Sequence, residues 1–243
     1  MTNMPRRSSK PGSSPDWAMS DLLLGNGLLE TLKVRGERVL FLEAHIARLV
    51  RSARFMGIPE HVVNEAIAQM ESLQHTQDGL WRVLLSVDGV QPPQWRELPD
   101  LSNQSLKTCM GTYDPSSRIR EHKTNSYANN FYARRIARDH GFDDALMVSD
   151  SLLVGEAPFA NIFFVDRSGS VFTPPANGLL PGTRRGLLMA EGALEREIRF
   201  GDFDQFEHVF LTSAAGMRVV SSIDETRFNT ELPNHILDQI SPW

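Results

Sequence analysis

Four short segments of the chain carry side chains that could do chemistry. Lys123 lies where a loop meets the start of a predicted helix, a position where a lysine is either solvated or reactive. Glu156 stands among small and apolar residues, where a carboxylate needs a cationic or hydrogen-bonded partner. Arg48 lies within a helical pattern, either at the surface or directed at an anion. Residues 182–185, Gly-Thr-Arg-Arg, open a further helix, whose unpaired N–H groups could bind an anion or only water.

Other chemistries have weaker support. Ser213 lacks the Gly-x-Ser-x-Gly surroundings of a hydrolase nucleophile, and no acidic or histidine partner can be assigned to it. The 7 histidines show no paired spacing, so we expect no metal site. Residues 25–27, Gly-Asn-Gly, are too short for a dinucleotide-binding loop and predict a turn.

Hydrophobic spacing predicts the elements that position these residues. It indicates strands at 22–24, 28–34, 39–42, 81–87, 106–111, 145–149, 162–165, 170–173 and 209–212, and helices from 43 to a stop at 57–59, at 61–73, at 126–140, from 183 and at 235–240. We therefore expect an α/β protein with mixed sheets and helices on their outer faces. Residues 91–104 are rich in proline and predict a linker between a smaller domain, 21–104, and a larger one, 105–243. Residues 1–20 predict a flexible tail.

Composition limits the possible partners and compartments. A hydrophobic fraction of 41% is enough for a sizeable core, and a net charge of −5 provides no positive field to hold nucleic acid. The chain contains no apolar run of the roughly 18 residues that span a bilayer, so we expect no membrane partner. The one cysteine, Cys109, cannot form an internal disulfide, which favours a reducing, cytoplasmic location.

The order and spacing of several segments resemble the class IV aminotransferase family, the fold-type IV enzymes that use pyridoxal 5′-phosphate (PLP). The matching segments are residues 25–34, His-Ile-Ala-Arg-Leu at 45–49, Lys-Thr at 123–124, Glu156 with Asn-Ile-Phe at 161–163, Thr-Pro at 173–174 and Leu-Pro-Gly-Thr-Arg-Arg at 180–185. The resemblance extends from about residue 25 to residue 223. It implies a two-domain enzyme with the active site in the cleft between the domains, and it implies a homodimer.

The resemblance also implies roles for two of the chemical side chains. Lys123 would form the covalent link to the PLP aldehyde and transfer the substrate proton. Glu156 would lie opposite the ring nitrogen, where a carboxylate keeps that nitrogen protonated and the ring a better electron acceptor.

A phosphate site is implied in the same way. Arg48 would bind the PLP phosphate by a charged contact. The N–H groups of Thr183 and Arg184 at the helix start, and the turn at Ser213 and Ala214, would complete the site.

Within the family, the chain most resembles the members that act as 4-amino-4-deoxychorismate lyases, and this resemblance implies the same reaction. Residues 211–223 resemble the lyase pattern, with Ser213 in place of its asparagine, and Thr31 stands where branched-chain transaminases usually have glycine. A lyase would convert its small amino substrate through a quinonoid to 4-aminobenzoate and pyruvate, a step of folate biosynthesis. Thr31 could protonate the leaving enolpyruvate or be an ordinary strand residue. The alternatives are a D-amino acid or amine transaminase and a non-catalytic PLP-binding protein.

We predict that Arg48→Ala raises the PLP dissociation constant more than it changes turnover at saturating cofactor. A charged contact to phosphate contributes about 1.5–3 kcal/mol, which corresponds to at least a tenfold loss of affinity. Titration of the cofactor-free protein with PLP, followed by absorbance, measures the effect. An unchanged dissociation constant would show that Arg48 does not contact the phosphate.

Overall fold

The computed structural model describes residues 21–74 and 76–240, in which helices pack against two β-sheets. The strands are β1 (Leu28–Arg35), β2 (Arg38–Val39), β3 (Gly79–Ser86), β4 (Gly89–Val90), β5 (Gln94–Arg96), β6 (Gln104–Met110), β7 (Asp144–Val148), β8 (Asn161–Asp166), β9 (Val171–Thr173), β10 (Leu194–Glu195), β11 (Phe206–Ser213), β12 (Gly216–Ile223) and β13 (Thr226–Arg227). The helices are α1 (Leu42–Met56), α2 (Glu60–Ser72), α3 (Ala128–Asp139), α4 (Thr183–Ala190) and α5 (Asn234–Ile240). The expected mixed α/β fold is confirmed.

The first sheet is antiparallel, with strands in the order β2-β1-β3-β4 and with β5 paired to β3. Helices α1 and α2 cover one of its faces, where Leu28 and Leu32 of β1 join Leu49 of α1 in one apolar cluster. Because successive side chains of a strand point to opposite faces, Thr31 and Lys33 lie on the other face of β1. The first sheet therefore presents polar side chains on the face that the helices leave open.

The second sheet is mixed, with strands in the order β10-β9-β8-β11-β12-β6-β7 and with β13 paired to β12. The pairs β10–β9, β12–β6 and β6–β7 are parallel, and the central pairs are antiparallel. Phe163 of β8 and Phe210 of β11 are fully buried and stack with ring centroids 5.1 Å apart. The two strands that carry this stacked pair, β8 and β11, border the candidate site.

The prediction of a strand at 22–24 is wrong. Residues 21–25 form a turn, with the Asn26 N–H donating to the Asp21 carbonyl at 2.7 Å. Leu23 and Leu24 are 85% and 77% exposed, so neither contributes an apolar face to a sheet. The turn, rather than a strand, leads the chain into β1.

Other elements differ from expectation in length or existence. The strand expected at 39–42 shrinks to β2, because Phe41 adopts a left-handed φ of 58° immediately before α1. Strand β12 and the short strands β10 and β13 were not expected. Each extends a sheet edge or completes a hairpin, which hydrophobic alternation alone does not reveal.

The segment at 91–104 is not purely a connection. Its strand β5 pairs with β3 and so belongs to the first sheet. The division into domains 21–104 and 105–243 stays a prediction, and the tail expected at 1–20 lies outside the described residues. No helix within residues 21–74 and 76–240 is long and apolar enough to cross a membrane.

Candidate active site

The four lysines of the chain differ in their surroundings. Lys10 lies outside the described residues. Lys33 Nζ donates a hydrogen bond to the Ala215 carbonyl at 2.9 Å, and Lys107 forms an ion pair of 2.8 Å with Asp224. Both of these amines are held in structural contacts, which leaves Lys123 as the candidate for a reactive amine among the lysines that the structure describes.

The backbone of Lys123 is fixed against the start of β1. The Leu29 N–H donates to the Lys123 carbonyl at 2.8 Å, and the Asn125 N–H donates to the Gly27 carbonyl at 2.9 Å. The side-chain amine donates a hydrogen bond to the Tyr127 hydroxyl at 3.1 Å. The lysine is thus held on a strand edge rather than on a free loop.

Glu156 is a buried carboxylate with one long ion pair, to Arg120. Its side chain accepts a hydrogen bond from Asn161 Nδ2 at 2.9 Å, and Arg120 lies 3.6 Å away. Burial raises the pKa of Glu156 to about 7, against the opposing effects of Arg120, a Leu180 N–H and Lys123. A cation placed beside this carboxylate would favour its charged form.

Asn161 links Glu156 to the start of α4. Its Nδ2 also donates to the Leu180 carbonyl at 2.8 Å, and its Oδ1 lies so close to Gly182 that a Cβ there would overlap it. Glycine is therefore required at 182 for this approach. The segment that leads into α4 is fixed to the same side chain that positions Glu156.

A buried network joins β1 to α1, and sequence reasoning missed its central residue, Glu30. Arg48 donates to Glu30 through Nε at 2.9 Å and Nη2 at 2.6 Å, and His45 Nδ1 lies 2.8 Å from the same carboxylate. Burial would raise the pKa of Glu30, but the Arg48 charge and the His45 bond outweigh it and hold the pKa well below its usual range. The sequence does contain a clue to Glu30, because the alternation of β1 places its carboxylate on the same face as Leu28 and Leu32.

This network changes the expectation for Arg48. The residue is buried rather than on the helix surface, and only Nη1 of its guanidinium is not committed to Glu30. Arg48→Ala would also leave the Glu30 carboxylate without its cation, and removing one partner of a buried ion pair costs about 3–5 kcal/mol. The stability of that variant must be measured together with its PLP affinity.

The start of α4 presents backbone donors. Gly182 is the N-cap and provides no side-chain cap, and the N–H groups of Thr183 and Arg184 in the first turn have no acceptor within the helix. The Arg184 side chain lies over the Phe41 ring at 5.2 Å and donates to the Ala214 carbonyl at 3.2 Å. Arg184 thus joins the helix start to the turn at Ser213 and Ala214.

An unsatisfied hydroxyl lies at the end of β11. Thr212 Oγ1 is buried and has no hydrogen-bond partner among the residues that the structure describes. Thr212 is directly opposite Asn161 in the β11–β8 pair, so the two share a face of the sheet. The hydroxyl therefore faces the side on which Asn161 binds Glu156.

The open face of the first sheet carries a second unsatisfied group. Thr31 of β1 is directly opposite Arg82 of β3, which sequence reasoning missed. Arg82 Nε is buried and makes no hydrogen bond within the described part of the chain. Burial and Arg96 lower the pKa of Arg82 while Tyr127 raises it, so the arginine lies within electrostatic reach of the phenol beside Lys123.

The charge of Lys123 connects these groups. Burial raises the pKa of Glu156, and the Lys123 charge acts in the opposite direction. Burial lowers the pKa of His45, and the Lys123 charge lowers it further. The amine thus lies within electrostatic reach of both the Glu156 carboxylate and the Glu30 network. The Lys123 charge is thus coupled to a buried acid and to the buried network of β1 and α1.

A family model for amino-transferase class IV matches residues 27–223. The chain belongs to the class IV aminotransferase family. It is a PLP-dependent enzyme, as the members of this family are. No match was found among curated proteins.

Solved structures agree with this family. The chain is 25% identical to a protein from Legionella pneumophila that is provisionally named as a 4-amino-4-deoxychorismate lyase, with 91% of each chain covered and a TM-score of 0.80. A hypothetical aminotransferase from Mycobacterium tuberculosis in its PLP-bound form is 24% identical, and the match covers 96% of this chain and 94% of that one with a TM-score of 0.77. A branched-chain aminotransferase from Thermoproteus uzoniensis is 21% identical, and the match covers 92% of this chain and 85% of that one with a TM-score of 0.75. The last two show the fold alone.

The described residues of this class IV enzyme fit PLP. Glu156 is a buried carboxylate with a raised pKa that a pyridine nitrogen cation would pair with, and Lys123 is an amine within its electrostatic reach. Thr212 Oγ1 is a buried donor that lacks a partner among the described residues and shares a sheet face with Asn161. An aromatic ring with polar substituents would satisfy groups that the protein alone leaves unsatisfied.

We predict that Glu156→Gln makes the stability of the cofactor-free enzyme less dependent on pH. The pKa of Glu156 rises from 4.5 to about 7 on folding. Between these two pH values the unfolded state has already lost the proton while the folded state still holds it. The wild type therefore loses stability as pH rises from about 4.5 to about 7. The stability of the variant relative to wild type should rise across that window by up to about 3 kcal/mol, at 1.36 kcal/mol per pKa unit, and stay level above it.

Urea unfolding at pH 4.5, 6 and 8 would measure this difference. Glu207→Gln, at an exposed position of β11 in the second sheet, is the control and should show no such trend. A relative stability of Glu156→Gln that falls with pH would mean that Glu156 is ionised in the folded, cofactor-free enzyme.

Proposed function

We propose that this class IV enzyme is a 4-amino-4-deoxychorismate lyase that releases 4-aminobenzoate and pyruvate. The observation that carries the proposal is the open face of the first sheet, where a hydroxyl side chain, Thr31, lies directly opposite a partly buried cation, Arg82. The lyase substrate carries two carboxylates and a leaving group that must be protonated, which are the partners these two side chains would take. The 25% identity to the Legionella pneumophila protein supports the same choice.

Lys123 and Glu156 would act on opposite ends of the cofactor. When bound, PLP supplies an aldehyde for the covalent link and a ring that accepts the electrons of the broken C–H bond. Lys123 Nζ takes the proton from the amine-bearing carbon of the substrate, with the Tyr127 hydroxyl 3.1 Å from that amine. The Glu156 carboxylate holds a proton at the ring nitrogen, and Asn161 orients it.

Five residues would hold the PLP phosphate. Arg48 contributes Nη1, because its other end binds Glu30. Thr183 and Arg184 contribute backbone N–H groups at the start of α4, and Ser213 with Ala214 contributes the turn that follows β11. Arg184 Nη2 supports this arrangement, since it bonds the Ala214 carbonyl.

Thr31 would act on the leaving group. Its hydroxyl protonates the enolpyruvate as the C–O bond of the ether breaks, so that pyruvate leaves and the six-membered ring becomes aromatic. Arg82 binds a substrate carboxylate on the same face. A D-amino acid or amine transaminase is the alternative, favoured by Ser213 in place of the asparagine of the lyase pattern.

The wider organisation follows from the same proposal. We expect two domains, 21–104 and 105–243, with the site in the cleft between them. We also expect a cytoplasmic homodimer that acts in folate biosynthesis, since 4-aminobenzoate is the product.

Product analysis tests the proposal. The purified PLP-loaded enzyme is incubated with 4-amino-4-deoxychorismate and, separately, with D-alanine, L-glutamate and simple amines. We expect 4-aminobenzoate and pyruvate in equal amounts from the first and no conversion of the cofactor to pyridoxamine phosphate by the others. Pyridoxamine phosphate without 4-aminobenzoate would establish the transaminase instead.

Two variants of Thr31 sharpen the assay. Thr31→Val removes the hydroxyl at constant shape and should lower lyase turnover about 100-fold, a typical contribution of general acid catalysis. Thr31→Ser keeps the hydroxyl and should retain most of the activity. Equal activity of both variants would mean that Thr31 is only a strand residue.

A further inference from the structure

The hairpin turn between β11 and β12 lacks the backbone angles that two-residue hairpin turns favour. Its central residues are Ala214 and Ala215, with Ser213 paired to Gly216 on either side. Two-residue hairpin turns favour positive φ at a central position, which matches the twist of the strands. Neither alanine has a positive φ, and Gly216 instead takes a φ of 151°. Contacts from outside the turn would therefore help to stabilise this conformation.

Two cations provide those contacts. Lys33 Nζ donates to the Ala215 carbonyl at 2.9 Å, and Arg184 Nη2 donates to the Ala214 carbonyl at 3.2 Å. The C=O and N–H of one planar peptide unit point in opposite directions. Holding these two carbonyls therefore fixes the peptide planes on both sides of Ala215 and the direction of the Ala215 N–H.

The arrangement brings positive charge together in a buried place. Lys33 is 7% exposed, and burial lowers its pKa, with further contributions from Arg184 and Arg35. Burial also lowers the pKa of Arg184, to about 10. Both side chains that hold the turn are thus buried.

Lys33 also connects two parts of the chain that are far apart in sequence. It lies on β1, on the same face as Thr31, whereas the turn belongs to the second sheet. Its contact with the Ala215 carbonyl is thus a direct bond between the two sheets at the candidate site.

We propose that Lys33 is a positioning residue that holds the 213–216 turn in the conformation that receives the PLP phosphate. It acts through the Ala215 carbonyl and does not itself touch the cofactor. This inference rests on the phosphate site of the proposed function, and it adds a residue of the first sheet to the determinants of cofactor affinity.

Cofactor affinity with and without the phosphate tests this role. Lys33→Met keeps the length of the side chain but removes its charge and its donor. We expect it to raise the dissociation constant of PLP about tenfold or more, the effect of losing one charged hydrogen bond. The dissociation constant of pyridoxal, which lacks the phosphate, should change little. Lys33→Arg should restore PLP affinity.

An equal loss of affinity for PLP and pyridoxal would show a general structural effect, and no loss for either would overturn the proposal. If Lys33→Met does not fold, as judged by circular dichroism, Lys33→Gln replaces it, and the same comparison with Lys33→Arg is made. The readout is binding to the dialysed enzyme and does not depend on turnover.

A proline variant separates this proposal from the placement of the phosphate site. Thr183→Pro removes one N–H at the first position of α4, where proline is well tolerated, and Gly182 already has the extended backbone that precedes proline. If Thr183→Pro weakens PLP binding and Lys33→Met does not, only the role of Lys33 fails. If neither variant weakens it, the phosphate site itself is misplaced. Lyase activity is measured separately from both.

Discussion

The candidate site depends on the pairing of residues 123–125 with the beginning of β1. Two backbone hydrogen bonds join Leu29 to Lys123 and Asn125 to Gly27, and the Asn125 side chain accepts a third from the Gly27 N–H at 2.9 Å. These bonds connect segments almost a hundred residues apart. Without them, the lysine would lie on an unpaired loop, and its amine would have no fixed relation to the side chains of the first sheet.

The two faces of β1 then serve different purposes. Glu30 points to the helices, where it neutralises and holds Arg48, while Thr31 and Lys33 point to the open face. Thr31 lies opposite Arg82 on the substrate side of the proposed site, and Lys33 reaches the turn of the second sheet. One strand with a period of two residues thus contributes to the proposed phosphate site, to the proposed substrate site and to the contact between the sheets.

Local pattern predicted much of the fold, because α1 and β1 bury regular apolar faces. It failed at 22–24, where leucines lie in an exposed turn and not on a sheet face. Motif order pointed to Lys123 and Glu156, since these residue types recur in a family with one chemistry. Glu30 and Arg82 were not found, because their importance depends on partners that only tertiary structure brings together, a buried guanidinium in one case and an opposite strand in the other.

The identity of the reactive lysine is the central claim. The PLP-loaded enzyme is reduced with borohydride, digested, and its labelled peptide is identified by mass spectrometry, with Lys123→Ala as the control. The account predicts label on Lys123 alone and none in the variant. Label on Lys33 or Lys107, whose amines the structure places in other contacts, would contradict it.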